Sequence, residues 1–355
     1  MSVAELLEDK QICICAGAGG VGKTTVAAAI AVGMAERGLK VAVLTIDPAR
    51  RLANSLGLPE LGNQEARVEL DAPGELWAMM LDPKRTFDEI VEKHAPDAKT
   101  RDAVLSNRIY QELSTAVAGS QEYMAMEKLH ELHQEGRYDL LVLDTPPTRN
   151  ALDFLDAPDR LARFIDSRSL QFFLAPSRTG LKIFSRGTGL LFSVLKRLTG
   201  VDLLQDLSDF FASFGSMAEG FRERAKAVKK LLGDERTTFL LVTSPAQEAI
   251  EEAAFFRAKL DEAKMPFGAV IVNRMHTEAG EEIEPGLEEL VGDELAAKVR
   301  ANFEDFRALA IRDRANVAEL AAGGGGRPPI AVPYLDEDVH DLDGLKLVNE
   351  HLFAA

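Results

Sequence analysis

The sequence predicts an α/β fold built on a mostly parallel, doubly wound sheet that carries an inserted helical subdomain. Short β-rich runs alternate along the chain with longer helical patterns. Most of these runs are continuously apolar rather than alternating, as expected for central strands of a parallel sheet that helices cover on both faces. The β-α-β-α order then indicates a doubly wound domain.

Seven runs predict the strands of this sheet, and three patterns predict the clearest helices. The strands are Gln11–Ala16, Lys40–Ile46, Leu76–Leu81, Asp139–Leu143, Thr237–Thr243, Ala269–Val272 and Ile330–Val332. The helices are Thr24–Arg37, Gln247–Ala263 and Asp341–His351.

Two helical segments interrupt the alternation and indicate insertions. Lys84–Gln134 is mostly polar, whereas Arg168–Leu232 is interrupted by glycine and rich in phenylalanine. We expect them to pack together beside the sheet. The predicted division gives 1–83, 136–167 and 233–355 to the α/β domain, and 84–135 and 168–232 to the helical subdomain. The glycine-rich stretch Gly323–Pro329 predicts a flexible linker.

Composition excludes several classes of protein. The chain has 355 residues, of which 46% are hydrophobic and 28% charged, so it is neither disordered nor fibrous. Its net charge of −16 disfavours general nucleic-acid binding. Only two cysteines occur, at positions 13 and 15, and neither a signal-peptide pattern nor an apolar run of about 18 residues is present. We therefore expect a cytoplasmic protein.

A glycine-rich loop after the first predicted strand carries the strongest functional signal. Residues 17–24 match G-x-x-x-x-G-K-[ST] in full. Glycines let successive N–H groups point at phosphate oxygens, and the helix that follows directs its positive end at the same anion. Lys23 is expected to reach the β- and γ-phosphates and Thr24 to ligate Mg²⁺. The predicted ATP-binding residues are Gly17, Ala18, Gly19, Gly20, Val21, Gly22, Lys23, Thr24 and Thr25.

A dinucleotide-binding turn is the alternative interpretation of this loop, because Gly17, Gly19 and Gly22 also match G-x-G-x-x-G. That turn needs an acidic residue at the end of the second strand, where Asp47 stands, but Pro48 follows it. It does not need Lys and Thr after the last glycine, so the pattern favours a P-loop.

Three further residues end predicted strands and are candidates for the same site. Asp144 ends an apolar strand, as in a Walker B motif, and is expected to hold Mg²⁺ through water. Asp47 ends the second strand at the same edge, where it can orient or deprotonate the attacking water, or alternatively cap a helix. Asn273 can present its amide to adenine, or alternatively form a turn.

The motifs together, in this order, resemble the ArsA family of anion-transporting ATPases, which includes the ATPase that targets tail-anchored membrane proteins. The motifs are GAGGVGKTT (17–25), TIDPA (45–49), LDTPPT (143–148), VNRM (272–275) and VPYLDEDVHDLDGL (332–345). The resemblance implies a homodimer with nucleotide at its interface. It places Asp47 in switch I and 144–148 in switch II, makes Asn273 the adenine-binding residue, and puts Pro333 beside the base.

The chain departs from the family pattern at several positions. Ala18 stands where the family has a lysine that reaches the partner's phosphates, so hydrolysis is expected to be slow unless another cation substitutes. Asn150 stands where switch II usually has histidine. The zinc C-x-x-C and the arsenite-binding cysteines are missing, so we expect neither a zinc nor an arsenite site. Sequence proximity makes Arg50, Arg51 and Arg149 candidates for the substitute cation.

The segment 168–232 differs in character from the rest of the chain. It contains 8 of the 18 phenylalanines, and 11 Lys and Arg against 5 Asp and Glu. Either its phenylalanines pack inward, or the segment binds a hydrophobic client or an anionic membrane. Besides an ArsA-type switch, three functions stay open: an adaptor that hardly hydrolyses ATP, a positioning ATPase of the ParA or MinD type, and a small-molecule kinase.

Overall fold

The structure, a computed structural model, divides the chain into two compact units. It describes residues 2–47, 50–108, 110–111, 114, 120–146, 155–165, 210, 217–277, 286–323 and 328–354. The first unit comprises Met1–Met80, Glu135–Leu152 and Leu232–Ala355, and the second comprises Leu81–Gln134 and Asp153–Leu231.

One eight-stranded sheet organises the first unit. Its strands are β1 (Ile12–Ala16), β2 (Lys40–Thr45), β3 (Ala66–Val68), β4 (Glu75–Met80), β5 (Leu140–Asp144), β6 (Thr237–Thr243), β7 (Phe267–Met275) and β8 (Ile330–Pro333). They lie in the order β3-β4-β2-β5-β1-β6-β7-β8, and every pair is parallel except β3 with β4. The predicted α/β class and mostly parallel sheet are thus confirmed.

Helices of the first unit alternate with these strands, as the pattern predicts. They are α1 (Val3–Leu7), α2 (Lys23–Glu36), α3 (Arg51–Ser55), α9 (Gln247–Glu262), α10 (Leu287–Val291), α11 (Asp293–Gly323) and α12 (Leu342–Leu352). The sequence pattern does not predict β3 or the 31-residue helix α11. The linker predicted at Gly323–Pro329 falls largely outside the described residues.

The central strands are apolar on both faces because both faces are buried. All five residues of β1 are buried, and β5 and β6 flank this strand. Cys13 and Cys15 lie within β1 as free, buried thiols. Burial on both sides removes the polar-apolar alternation that marks a half-exposed strand.

The second unit is helical over its described residues. Its helices are α4 (Pro83–His94), α5 (Ala98–Leu105), α6 (Ser120–Glu135), α7 (Ala157–Ile165) and α8 (Ala218–Leu232), although the last residues of α6 and α8 are assigned to the first unit. The described residues 155–165 belong to this unit, whereas the sequence predicts that 136–167 lies in the α/β domain.

An aromatic cluster forms part of the core of this second unit. The Phe87 ring stacks on Phe221 at 5.6 Å between centroids and lies 5.5 Å from Tyr110. Tyr110 in turn lies 6.5 Å from Phe210. Phe210 and Phe221 belong to the phenylalanine-rich segment, and both are buried. The other six phenylalanines of that segment fall outside the described residues.

None of the helices in the described part of the chain combines the length and the apolar character that crossing a bilayer requires.

The last helix of the first unit packs on the helix that follows the glycine-rich loop. A Cβ atom at Gly33 of α2 would lie 2.3 Å from the Phe353 ring just after α12, so only glycine permits this approach. The Arg37 guanidinium lies 3.9 Å from the centroid of the same ring. Leu345 of α12 is fully buried, so the apolar face of α12 helps to fix the position of α2.

Leu345→Ala is expected to lower the free energy of unfolding by about 2 to 5 kcal/mol, because it leaves a cavity in this contact. Leu347 of the same helix is 46% exposed, so Leu347→Ala serves as the matched control and is expected to change it by less than about 0.5 kcal/mol. Urea denaturation followed by circular dichroism measures both. If Leu345→Ala lowered the free energy of unfolding no more than Leu347→Ala does, the contribution of the buried Leu345 contact would be contradicted.

Candidate functional site

The glycine-rich loop runs from the end of β1 to the start of α2, at the edge where β2 and β5 also end. Gly17 has φ +152°, and a Cβ there would lie 2.0 Å from the Val242 carbonyl oxygen. Gly22 has φ +92°, and a Cβ there would lie 2.2 Å from the Asn273 amide nitrogen. The loop can therefore take this path only with glycine at both positions.

The Lys23 side chain folds back over the loop. Its Nζ donates a hydrogen bond to the Ala18 carbonyl oxygen at 2.7 Å, and the side chain is largely buried. Burial lowers the pKa of Lys23 below its ordinary value, while the negative charges of Asp144 and Asp47 raise it. The Lys23 ammonium group is thus held inside the curve of the loop, near the carboxylates of Asp144 and Asp47.

Asp144 joins three elements through one carboxylate oxygen. Its Oδ2 accepts hydrogen bonds from the hydroxyls of Thr24 in α2 at 2.7 Å and Thr45 in β2 at 2.8 Å. Its Oδ1 is buried and has no hydrogen-bond partner within the described residues. Burial raises the pKa of Asp144 to about 6, while the two hydroxyls and Lys23 lower it. Carboxylate and hydroxyl oxygens side by side, with one oxygen unpartnered, are a donor set that suits Mg²⁺.

Asp47 lies at the mouth of the same site, beyond the end of β2. Its N–H donates to Thr45 Oγ1 at 3.2 Å, and its carboxylate lies 3.9 Å from the Arg51 guanidinium. A cavity of about 670 Å³ opens here, and Lys23 and Thr24 also line it. Such a volume and lining fit a polyphosphate chain above the loop.

Asn273 connects the loop to a second cavity. Its amide donates to the Val21 carbonyl oxygen at 3.0 Å, and its carbonyl oxygen accepts from the Arg274 N–H at 3.0 Å. Asn273 and Pro333 both line a cavity of about 690 Å³, which shares Thr25 and Arg274 with the first. The two cavities therefore adjoin each other and form one cleft.

The structure thus brings the predicted residues of the loop, Asp47, Asp144 and Asn273 to one region of the first unit, with Pro333 at the far end of the cleft. Of the switch segments, Pro48, Ala49 and 147–150 fall outside the described residues, and Arg149 and Asn150 with them. Sequence reasoning missed Thr45 and Arg274. Both residues lie at or beside the end of a strand, and residues at the ends of parallel strands converge at this edge of the sheet. That position is the sequence signal by which they could have been found.

The arrangement is that of P-loop NTPases: a G-x-x-x-x-G-K-[ST] loop between a central parallel strand and a helix, with a carboxylate ending the neighbouring strand. The model of the ArsA family, described as anion-transporting ATPases, matches residues 10–312. The chain belongs to this family, as the motifs led us to expect.

Curated relatives agree with this assignment. "ATPase GET3" of Malassezia globosa is 25% identical over 277 residues, which cover 77% of this chain and 76% of the relative. "Putative arsenical pump-driving ATPase 1" of Aquifex aeolicus is 24% identical over 352 residues, covering 97% and 79%. "ATPase GET3B" of Arabidopsis thaliana is 28% identical over 278 residues, covering 73% and 62%. All three carry the name ATPase.

The buried carboxylate predicts a pH dependence of stability that Asp144→Asn removes. The folded pKa of Asp144, about 6, lies above the ordinary value of 3.8, so between these values the folded state binds more protons than the unfolded state. The wild type is therefore expected to lose roughly 2 to 3 kcal/mol of stability relative to Asp144→Asn between about pH 4 and pH 7.

Urea denaturation of both proteins across this pH range, with chelator and without nucleotide, measures that difference. Taking the difference between the two proteins cancels the titrating groups that do not interact with Asp144. A difference that stays constant with pH would contradict the raised pKa.

Proposed function

We propose that the protein binds ATP with Mg²⁺ in the cleft and hydrolyses it, acting as a dimeric conformational switch of the ArsA type. The observation that carries the proposal is the unpartnered, buried oxygen of Asp144 beside the Thr24 hydroxyl and Lys23. A buried carboxylate in this state is costly, and a bound cation relieves the cost. We also propose a cytoplasmic location, which the two free cysteines support.

The loop holds the phosphates in this mechanism. Its N–H groups and the positive end of α2 cradle them, and Lys23 exchanges the Ala18 carbonyl for phosphate oxygens. Thr24, and Asp144 through water, would hold Mg²⁺, which would neutralise charge on the phosphates. Asn273 and Pro333 contact the base at the other end of the cleft.

Asp47 orients the attacking water. Its carboxylate is partly exposed at the cavity, where it can accept a proton from water. The water oxygen forms a bond to the γ-phosphorus in line with the departing oxygen, and the bond between that phosphorus and the β–γ bridging oxygen breaks. ADP and phosphate leave, and the proton passes through Asp47 to solvent.

The switch acts on the helical second unit. ATP binding would close the dimer and reshape this unit, and hydrolysis would reopen it. A hydrophobic client or a membrane-associated partner is the proposed cargo of the segment 168–232, because this segment is basic and rich in phenylalanine within an acidic chain.

An adaptor with little intrinsic hydrolysis is the second candidate, because Ala18 brings no charge to the loop. Slow turnover is expected in either case.

Asp47→Asn is expected to lower the turnover of ATP by about a hundredfold or more, because it removes the group that accepts the proton of the water. ATP affinity should change little. Steady-state phosphate release and calorimetric titration with Mg–ATP measure the two quantities. Asp71→Asn, an exposed acid of the same unit, is the matched control. Unchanged turnover in Asp47→Asn would overturn its role, and no turnover in the wild type despite tight binding would favour the adaptor.

Light scattering with and without Mg–ATP tests the dimer. A mass near twice 38.7 kDa is expected with ATP. A monomer under every nucleotide condition would contradict the dimeric switch.

A further inference from the structure

Arg274 occupies an unfavourable backbone conformation beside the glycine-rich loop. Its φ is +60°, in the left-handed region that residues with a side chain seldom adopt. The side-chain oxygen of Asn273, Oδ1, accepts a hydrogen bond from the Arg274 N–H at 3.0 Å and supports this conformation. Backbone strain of this kind is a reason to ask what the side chain does.

The guanidinium of Arg274 is fixed on the loop itself. Its Nη1 donates to the Gly20 carbonyl oxygen at 3.2 Å, which leaves most of its five N–H donors for other partners. The residue lines the cavity of about 670 Å³ above Lys23 and the cavity of about 690 Å³ beside Pro333. It also lines a third, of about 800 Å³, on the Ala18 side of the loop. The side chain thus stands where these three cavities meet.

Other arginines near the loop each lie close to a carboxylate, and Arg274 differs from them in this respect. Arg51 lies 3.9 Å from Asp47, Arg50 lies 3.9 Å from Glu60, and Arg312 lies 3.0 Å from Asp313. No carboxylate among the described residues lies within salt-bridge distance of Arg274. Its charge is therefore available to an anion that enters the cleft.

We propose that Arg274 is a phosphate-binding residue that adds a second cation to the loop within the same chain, alongside Lys23. The inference rests on the proposed ATP binding. The guanidinium offers a planar set of donors that suits phosphate oxygens, and Gly20 orients it toward the cavity that Lys23 and Thr24 line. Because the contact adds positive charge beside the loop, it strengthens the binding of the more highly charged ATP more than that of ADP.

Arg274→Asn and Arg274→Lys test the proposal. Asparagine tolerates the left-handed backbone but carries no charge, whereas lysine keeps the charge and loses the planar fork. Arg300→Asn is the matched control, since Arg300 pairs with Glu288 at 2.8 Å and lies outside the three cavities. Lys23→Ala is titrated in parallel as the test of ATP binding at the loop.

The affinities for Mg–ATP and Mg–ADP are measured by calorimetry at low and high salt, with kcat, KM and Tm for each variant. Arg274→Asn is expected to weaken ATP binding about tenfold, the usual size for a hydrogen bond to a charged group, and to weaken ADP binding less. It should also flatten the salt dependence. Arg274→Lys is expected to recover most of the affinity, and Arg300→Asn to match the wild type.

Two results would overturn the proposal while leaving ATP binding intact. One is wild-type affinity in Arg274→Asn when Lys23→Ala has lost binding. The other is an equal loss of ATP affinity in Arg274→Lys and Arg274→Asn, with a lower Tm in both. That pattern would show that Arg274 stabilises the structure of the loop and does not bind phosphate. A wild type that binds no ATP would instead remove the proposed function, and this inference with it.

Discussion

The paired hydrogen bonds that Thr24 and Thr45 donate to Asp144 hold the functional edge of the first unit together. They join the first turn of α2, the end of β2 and the end of β5 at one carboxylate oxygen, at 2.7 and 2.8 Å. The second oxygen is buried and has no hydrogen-bond partner in the part of the chain that the structure describes, and burial raises the pKa of Asp144. This burial costs stability, and the proposed binding of Mg²⁺ at the same oxygen atoms would offset that cost.

The sequence alone predicts those features of this edge that leave a local pattern in the chain. Continuous apolar runs identified the central strands, because burial on both faces leaves a strong signal. The loop was recognisable because the P-loop pattern requires Gly17, Gly22, Lys23 and Thr24 at fixed spacing. Asp144 could be predicted as a site residue from its place at the end of an apolar run. Thr45 could not, because a hydroxyl at a strand end has no distinctive pattern until β2 and β5 are known to be neighbours.

Other features depended on information that a linear pattern lacks. β3 is three residues long and pairs antiparallel at the edge of the sheet, so its residues carry little apolar signal. The helix α11 is largely exposed, with few buried positions to mark a period. Arg274 stands next to a predicted residue, yet its contact with Gly20 spans 254 positions of sequence and arises only when β7 takes its place beside β6.

The close approach of Gly22 and Asn273 limits which residues the glycine-rich loop accepts. The asparagine amide fills the volume where a Cβ at position 22 would stand, 2.2 Å away, and its other contacts brace Val21 and Arg274. A side chain at position 22 would have to displace this amide, and the left-handed backbone there would stay strained whatever stood at position 273. Exchanging Gly22 would therefore disturb the contacts of Asn273 with both Val21 and Arg274, and with them the shape of the whole loop.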